Sequence, residues 1–287
     1  MARSQTFKKG NETLIQKIVN VLTDHPGSGH QRVGVTPAYA TSTALAMANA
    51  LFENQALITG ASYTTIANSA QTAVFNTPLG RFPKGGDASF AVMSTGDTAS
   101  IPMPGTFAST SFSGGNIRGN SDYDVVILKI DFNVPAGMNC LTFQFRFLSE
   151  EYPVSVGSPY NDAFIAELDT SDWTTSDGTI TAPHNFATVS GANVSVNSVP
   201  KSASNGADTA FDGTGADSNG GASTLGYLAA QSPLTPGAHS LYLSIFDQSD
   251  QIYNSAVFLD NLILNNSTSC TTGLLGVNKL FLPLILR

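Results

Sequence analysis

The chain has 287 residues, 41% of them hydrophobic but only 12% charged, and it carries a formal net charge of −8. Its few basic residues are scattered, which excludes nucleic-acid binding, since that needs clustered Lys and Arg to displace counterions from phosphates; an acid excess suits divalent cations instead. No run of about 20 apolar residues occurs, so no transmembrane segment is expected, and surface polarity must come from Ser, Thr, Asn, Gln and Gly, as in many secreted β proteins.

In chain order, residues 11–24 carry Leu14, Ile15, Ile18, Val19 and Leu22 at helical spacing. His25-Pro26-Gly27-Ser28-Gly29 then breaks the pattern. His25 and His30 read as solvated loop residues rather than a metal pair. A second helix is expected from Ser42, as N-cap, to Phe52, with Leu45, Ala48 and Phe52 on its buried face. No apolar stretch follows the first ten residues, so no signal peptide is visible.

Beyond residue 56 the pattern becomes short β runs between turns. Strands are expected at Ile58–Tyr63, Phe90–Ser94, Val125–Phe132, Leu141–Phe147, Ala163–Leu168, Val194–Val196, His239–Phe246 and Ser255–Leu264. Two alternate cleanly. Val126, Leu128, Ile130 and Phe132 face one way, with Lys129 and Asp131 opposite. Leu141, Phe143, Phe145 and Phe147 do the same against Cys140, Thr142, Gln144 and Arg146. Period-two alternation predicts a core on one side and water on the other. The fold class is therefore mainly β, an antiparallel, jelly-roll-like β-sandwich with one or two short N-terminal helices. Residues 200–223, rich in Gly, Asp, Asn, Ser and Ala, form a long loop. Three regions result: an N-terminal extension over 1–35, the sandwich over 36–268, and a tail over 269–287. In the tail Leu280, Leu282, Leu284 and Leu286 alternate as an apolar strand; Pro283 lacks an N–H and restricts it to a sheet edge. It either packs on its own domain or adds to a neighbouring subunit or surface partner.

There are two cysteines, Cys140 and Cys270, and no CxxC spacing. They are either two buried thiols or a disulfide. The position of Cys140 on the polar side of its strand favours the disulfide in an oxidising compartment, where it would contribute about 4–5 kcal/mol.

Catalytic signatures are missing: no GxSxG, no HExxH, no phosphate-binding loop and no dinucleotide fingerprint. Glu150 and Glu151 are neighbours on a strand end and point to opposite faces, so they do not flank one bond, although either could partner Asp162. The chain is expected not to be an enzyme. Acids at strand ends offer hard oxygens for calcium, from Glu150, Asp162, Asp247, Asp250 and Asp260. The alternative is that they cap turns by accepting nearby backbone N–H groups. Among the aromatics, Tyr152, Tyr160, Trp173 and Tyr227 could face a sugar. Alternatively Trp173, in Asp172-Trp173-Thr174, covers an edge of the core.

Phe147-Leu148-Ser149-Glu150-Glu151-Tyr152-Pro153, followed by Tyr160-Asn161-Asp162-Ala163-Phe164, resembles the choice-of-anchor L domain of bacterial surface proteins. Leu45–Leu51, Ser94-Thr95-Gly96-Asp97, Phe211-Asp212-Gly213, Ile245–Asp250 and Asn254–Leu259 resemble its other segments, in order, over roughly residues 36–265. Asn254 stands where the family usually has Asp. The resemblance implies a β-sandwich that is secreted or on the cell surface. The expected role is structural or adhesive, with self-association or a cell-surface partner and stabilisation by calcium. A carbohydrate-binding module is the alternative, and a glycoside hydrolase the minor one.

Overall fold

The structure is a computed structural model, and it describes residues 39–79, 82, 89–104, 109–112, 114–189, 191–198, 209–211 and 227–275. The expected helix over 11–24, His25, His30 and the leucine tail from Leu280 to Leu286 lie outside the described residues.

The elements run β1 (Tyr39–Thr41), α1 (Ala44–Leu51), β2 (Ile58–Thr65), β3 (Thr72–Phe75), β4 (Phe90–Ser94), β5 (Asp122–Val134), β6 (Cys140–Ser149), β7 (Ala163–Leu168), β8 (Thr174–Ser176), β9 (Thr179–Thr181), β10 (Thr188–Val189), β11 (Ala192–Ser195), β12 (Leu228–Pro233), β13 (Gly237–Gln248), β14 (Ser255–Asn265) and β15 (Gly273–Leu274). Two antiparallel sheets form a sandwich. A seven-stranded sheet has the order β1-β3-β4-β14-β6-β12-β15, and a six-stranded sheet the order β10-β11-β7-β13-β5-β2. The short β8–β9 ribbon stands apart from both.

The main core lies between the sheets, and alternation decides who enters it. From the six-stranded sheet come Val126, Leu128, Ile130 and Phe132 of β5, Leu241, Leu243 and Ile245 of β13, and Phe164 of β7. From the other come Leu141, Phe143, Phe145 and Phe147 of β6, Val257 and Leu259 of β14, and Met93 of β4. Burying each such side chain contributes about 1.5–3 kcal/mol before chain entropy is counted.

The outward faces depart from the expected water-facing pattern. Cys140 and Arg146, on the polar side of β6, are both buried. On that side of the sheet, Phe75, Phe90 and Phe258 of β3, β4 and β14 form a second cluster with Phe82 and Phe211 from outside the strands. A third cluster of Val125, Ile127, Ala163, Ile165, Trp173 and Phe246 covers part of the outer face of the six-stranded sheet. Both sheets are thus apolar on parts of both faces, and strand alternation alone reveals only the inner one.

Helix α1 begins one residue later than the sequence suggests. Thr43 is the N-cap, its hydroxyl accepting from the Ala46 N–H at 3.2 Å. Ser42 instead accepts from the Val74 N–H at 3.0 Å, tying the helix entrance to β3. The buried face is Ala44, Met47, Ala48 and Leu51, while Leu45 is 51% exposed. Ala48 and Phe52 are buried as expected, and of the expected face only Leu45 points outward. Among the described residues no helix is long and apolar enough to cross a membrane.

Candidate functional site

One end of the sandwich interior changes from apolar to acidic. Stepping by two along each strand from a core residue reaches a polar one: Met93 to Thr95, Phe147 to Ser149 and Glu151, Ile245 to Asp247, and Val257 back to Ser255. Stepping back from Phe164 reaches Asp162. All of these are buried. A bulge shapes this end. Between the pairs Ile245–Val126 and Asp247–Tyr123, β5 has one more residue than β13, and Asp124 adopts φ 48° there.

Asp162 is held at both oxygens. Oδ1 accepts the Gln248 N–H at 3.0 Å, and Oδ2 accepts the Ser255 hydroxyl at 2.7 Å. Its own N–H donates to Glu151 Oε2 at a long 3.5 Å. Thr95 is locked to β14, its N–H donating to the Ser255 carbonyl at 3.0 Å and its Oγ1 accepting the Ser255 N–H at 2.9 Å. Gln71 Nε2 donates to the carbonyls of Thr95 (3.1 Å) and Asp124 (2.7 Å). Behind Thr95, Gly96 lies so close to Asn254 that a Cβ would come within 1.8 Å of its Nδ2. Asn254 Oδ1 accepts the Thr110 N–H at 3.1 Å.

The carboxylates beside this scaffold are poorly satisfied. Neither oxygen of Asp247 has a hydrogen-bond partner, nor has Glu151 Oε1. The Thr95 hydroxyl and the Asp162 carboxyl are close enough to Asp247 to alter its proton affinity, but not in hydrogen-bonding geometry. Burial, followed by the charge of Asp162, pushes the Glu151 carboxyl up to about 9. Burial pushes Asp162 up to about 7, against the lowering effect of the Ser255 and Gln248 hydrogen bonds. Asp247 is driven well above the usual carboxylate range by burial and then by Asp162.

The expected calcium residues therefore divide. Asp162 and Asp247 belong to this end, and Asp250 contributes its charge from the adjoining loop, where Oδ1 accepts the Ile252 N–H at 3.1 Å. Asp260 does not belong. On β14 it pairs with Gln144 of β6, roughly 17 Å along the strand from Ser255, and it follows the inward Leu259, so it points to the outer face. Glu151 rather than Glu150 enters the group, because it is Glu151 that keeps step with Phe147. Among the described residues, no three His, Cys, Asp or Glu side chains are grouped closely enough to hold a metal by themselves.

The aromatic candidates do not assemble. Trp173 is 0% exposed. It stacks on Phe246 with centroids 4.2 Å apart and an 8° interplanar angle, and its Nε1 donates to Ser244 Oγ at 3.0 Å. It seals the outer face of the six-stranded sheet and offers nothing to a ligand. Tyr152 is buried and Tyr227 partly buried against the second cluster, while Tyr160 is 42% exposed. The disulfide is present, Cys140 to Cys270, joining positions 130 apart in sequence. Cys140 is nevertheless buried rather than water-facing.

The opposite end of the six-stranded sheet carries an open groove of about 420 Å³, lined by Thr59, Asp131, Asp169, Ala238, His239 and Ser240. Its polar groups are held in place. Asp131 accepts the Ser240 hydroxyl at 2.5 Å and pairs with Lys129 at 2.9 Å. The Ser240 bond first, with Lys129 assisting, holds the Asp131 carboxyl below its ordinary value. Asp169 accepts the Ser240 N–H at 2.9 Å, and its other oxygen lies 2.7 Å from His239 Nδ1. His239 Nε2 sits 2.8 Å from the Thr235 carbonyl. Sequence reading missed this groove because its residues come from β2, β5, the turn after β7 and β13.

Comparison with curated proteins gives no match. Among solved structures, the chain is similar to TmCBM61 in complex with beta-1,4-galactotriose, at 8% identity and a TM-score of 0.32, covering 74% of this chain and 91% of that one. It is also similar to the K1 cleaved adhesin domain of Lys-gingipain from Porphyromonas gingivalis W83, at 12% identity and a TM-score of 0.29, covering 70% and 90%. Such distant likeness carries no argument about binding. The sequence match over residues 35–264 does carry one about descent, spanning the described sandwich and its acidic end: the chain belongs to the choice-of-anchor L domain family.

Proposed function

We propose that the chain is an extracellular, non-enzymatic surface module with a structural or adhesive role, meeting its partner at the open end of the six-stranded sheet. Family membership suggests a secreted or cell-surface protein. The observation that supports a contact site is the groove. Asp131, Asp169 and Ser240 present polar atoms whose positions are already fixed by hydrogen bonds, so a partner would not have to order them. Carboxylates and hydroxyls of this kind suit the hydroxyl groups of a glycan or the rim of a protein surface.

Immobilised glycans and intact cells, probed with the purified chain, test this reading. Binding should occur, and Asp169→Ala and His239→Ala should each weaken it about tenfold, the loss of one or two hydrogen bonds. Binding that both variants leave unchanged would remove the groove from the proposal. Self-association through the apolar segment from Leu280 to Leu286 is the structural arm. Deleting residues 277–287 should leave a folded monomer, and assembly that persists without them would refute that arm.

A further inference from the structure

We propose that the acidic end of the sandwich is a cation site that takes calcium, with Asp247 and Glu151 as its principal ligands and Asp162 and the Thr95 hydroxyl beside them. This does not rest on the groove or on the adhesive reading.

The argument starts from unpaired atoms. A buried carboxylate oxygen without a partner is costly, and native proteins rarely leave one so. Here three occur together, both oxygens of Asp247 and Oε1 of Glu151, with each residue sealed from solvent. They lie beside Asp162, whose two oxygens are already committed to β13 and β14. Among the described residues, Asp162 acts strongly on both Glu151 and Asp247, Asp247 acts on Asp162, and the other strong groups are Asp124, Asp250, Thr95, Ser255 and Gln248; none is a cation. Buried with no cation among those groups, these acids stay ionised only with a positive partner from outside the chain, and otherwise hold protons.

The donor chemistry selects the ion. Every candidate donor is oxygen, from carboxylate or hydroxyl, with no thiol or imidazole, which disfavours zinc and copper. The oxygens come from the ends of β4, β6, β13 and the residue before β7, an irregular set rather than a rigid octahedron. Calcium tolerates such geometry and magnesium does not. Because among the described residues the side chains do not close into a three-carboxylate group, the shell must be completed by neutral oxygens and by small movements of Asp247 and Glu151. The backbone behind them is fixed by the Thr95–Ser255 pair and by Gln71, so the ion would bring together one end of both sheets.

The test uses the full chain stripped with chelator. Isothermal titration with calcium chloride should give saturable heat with one site per chain. Melting in calcium at about a hundred times the dissociation constant should rise by about 5 °C or more over chelator. Asp247→Asn and Glu151→Gln should lose the heat and the shift. Both should melt in chelator at or above the wild type, which separates lost binding from lost folding. Asp260→Asn, outside the site, should keep both responses. No saturable heat and an unchanged melt in about 10 mM calcium chloride, beyond the range of even weak extracellular sites, would overturn the proposal. So would Asp247→Asn binding calcium as tightly as the wild type.

Discussion

Replacing Glu167 with Gln should stabilise the protein at pH 8 and leave it unchanged at pH 4. Glu167 lies on β7, paired with Tyr242 of β13, and is closed off from solvent. Its Oε1 accepts the Asp172 N–H at 3.2 Å, and its Oε2 has no partner. Burial first, and then the neighbouring Asp172, raises its carboxyl from 4.5 to about 7. The folded state therefore binds this proton more tightly than the unfolded chain does. For an acid shifted upward, the group costs nothing below the unfolded value. Stability then falls by up to about 1.4 kcal/mol per pH unit as the pH rises towards the folded value, and it stays low above it. The whole interval corresponds to about 3 kcal/mol, an upper figure because structural relaxation and water penetration soften the penalty of a buried charge. Gln keeps the shape and the acceptor and carries no charge at any pH. Urea unfolding of wild type and Glu167→Gln, followed by circular dichroism at half-unit steps from pH 4 to 8, reads the difference directly. The two curves should meet at the acid end and separate by about 2–3 kcal/mol near neutrality. A constant gap across the range, or a variant less stable at pH 8, would refute the assignment of a trapped neutral carboxyl.

Changing Cys140 and Cys270 together to Ser should cost about 5 kcal/mol, since the chain-entropy cost of the 130-residue separation is large; chemical denaturation under non-reducing conditions measures it, and a loss below 1 kcal/mol would show that the denatured chain is already compact. Trp173→Ala should cost about 3–5 kcal/mol by removing the stack on Phe246 and the bond to Ser244, and Trp173→Phe should recover much of it; fluorescence of the single Trp in the wild type should be shielded from acrylamide. Gly96→Ala should cost about 1–3 kcal/mol because its Cβ meets the Asn254 amide. Adding Asn254→Ala removes that clash, so the double variant should melt above the sum of the single losses, and strict additivity would refute the contact.

Wherever a strand alternates cleanly or carries a short apolar run with bulky residues, the sequence is readable. Phe90–Ser94 and Ala163–Leu168 have the bounds expected of them, and β5, β6, β13 and β14 differ only in being longer. The missing strands lack that signal. β12, Leu-Ala-Ala-Gln-Ser-Pro, has no β-branched or aromatic residue and is a strand because β6 and β15 pair with it on either side. The acidic end was half legible. Asp162 and Asp247 could be nominated as strand-end acids, but the choice between Glu150 and Glu151, and the exclusion of Asp260, depend on which side of each strand faces inward. Counting by twos from Phe147 and from Leu259 would have settled both. Trp173 could not be placed this way, since nothing near it in sequence predicts that Phe246 lies beneath it.

The disulfide also sets how the domain would respond to being pulled. Strand β15 holds to β12 by two residue pairs, with the Leu275 N–H bonded to the Ala229 carbonyl, and would peel early under tension applied beyond Leu275. A few residues further in, the load meets Cys270 and passes through sulfur to Cys140, the first residue of β6. That strand is gripped on one side by β14 and on the other by β12, so the force must shear two ladders rather than unzip one. Everything between the cysteines, from β6 through β14, lies within a covalent loop and cannot be drawn out by its ends. Under tension the extensible length is confined to the chain before Cys140 and after Cys270, which leaves the acidic interior end, apart from Gln71, Thr95 and Asp124, inside the part that cannot be stretched.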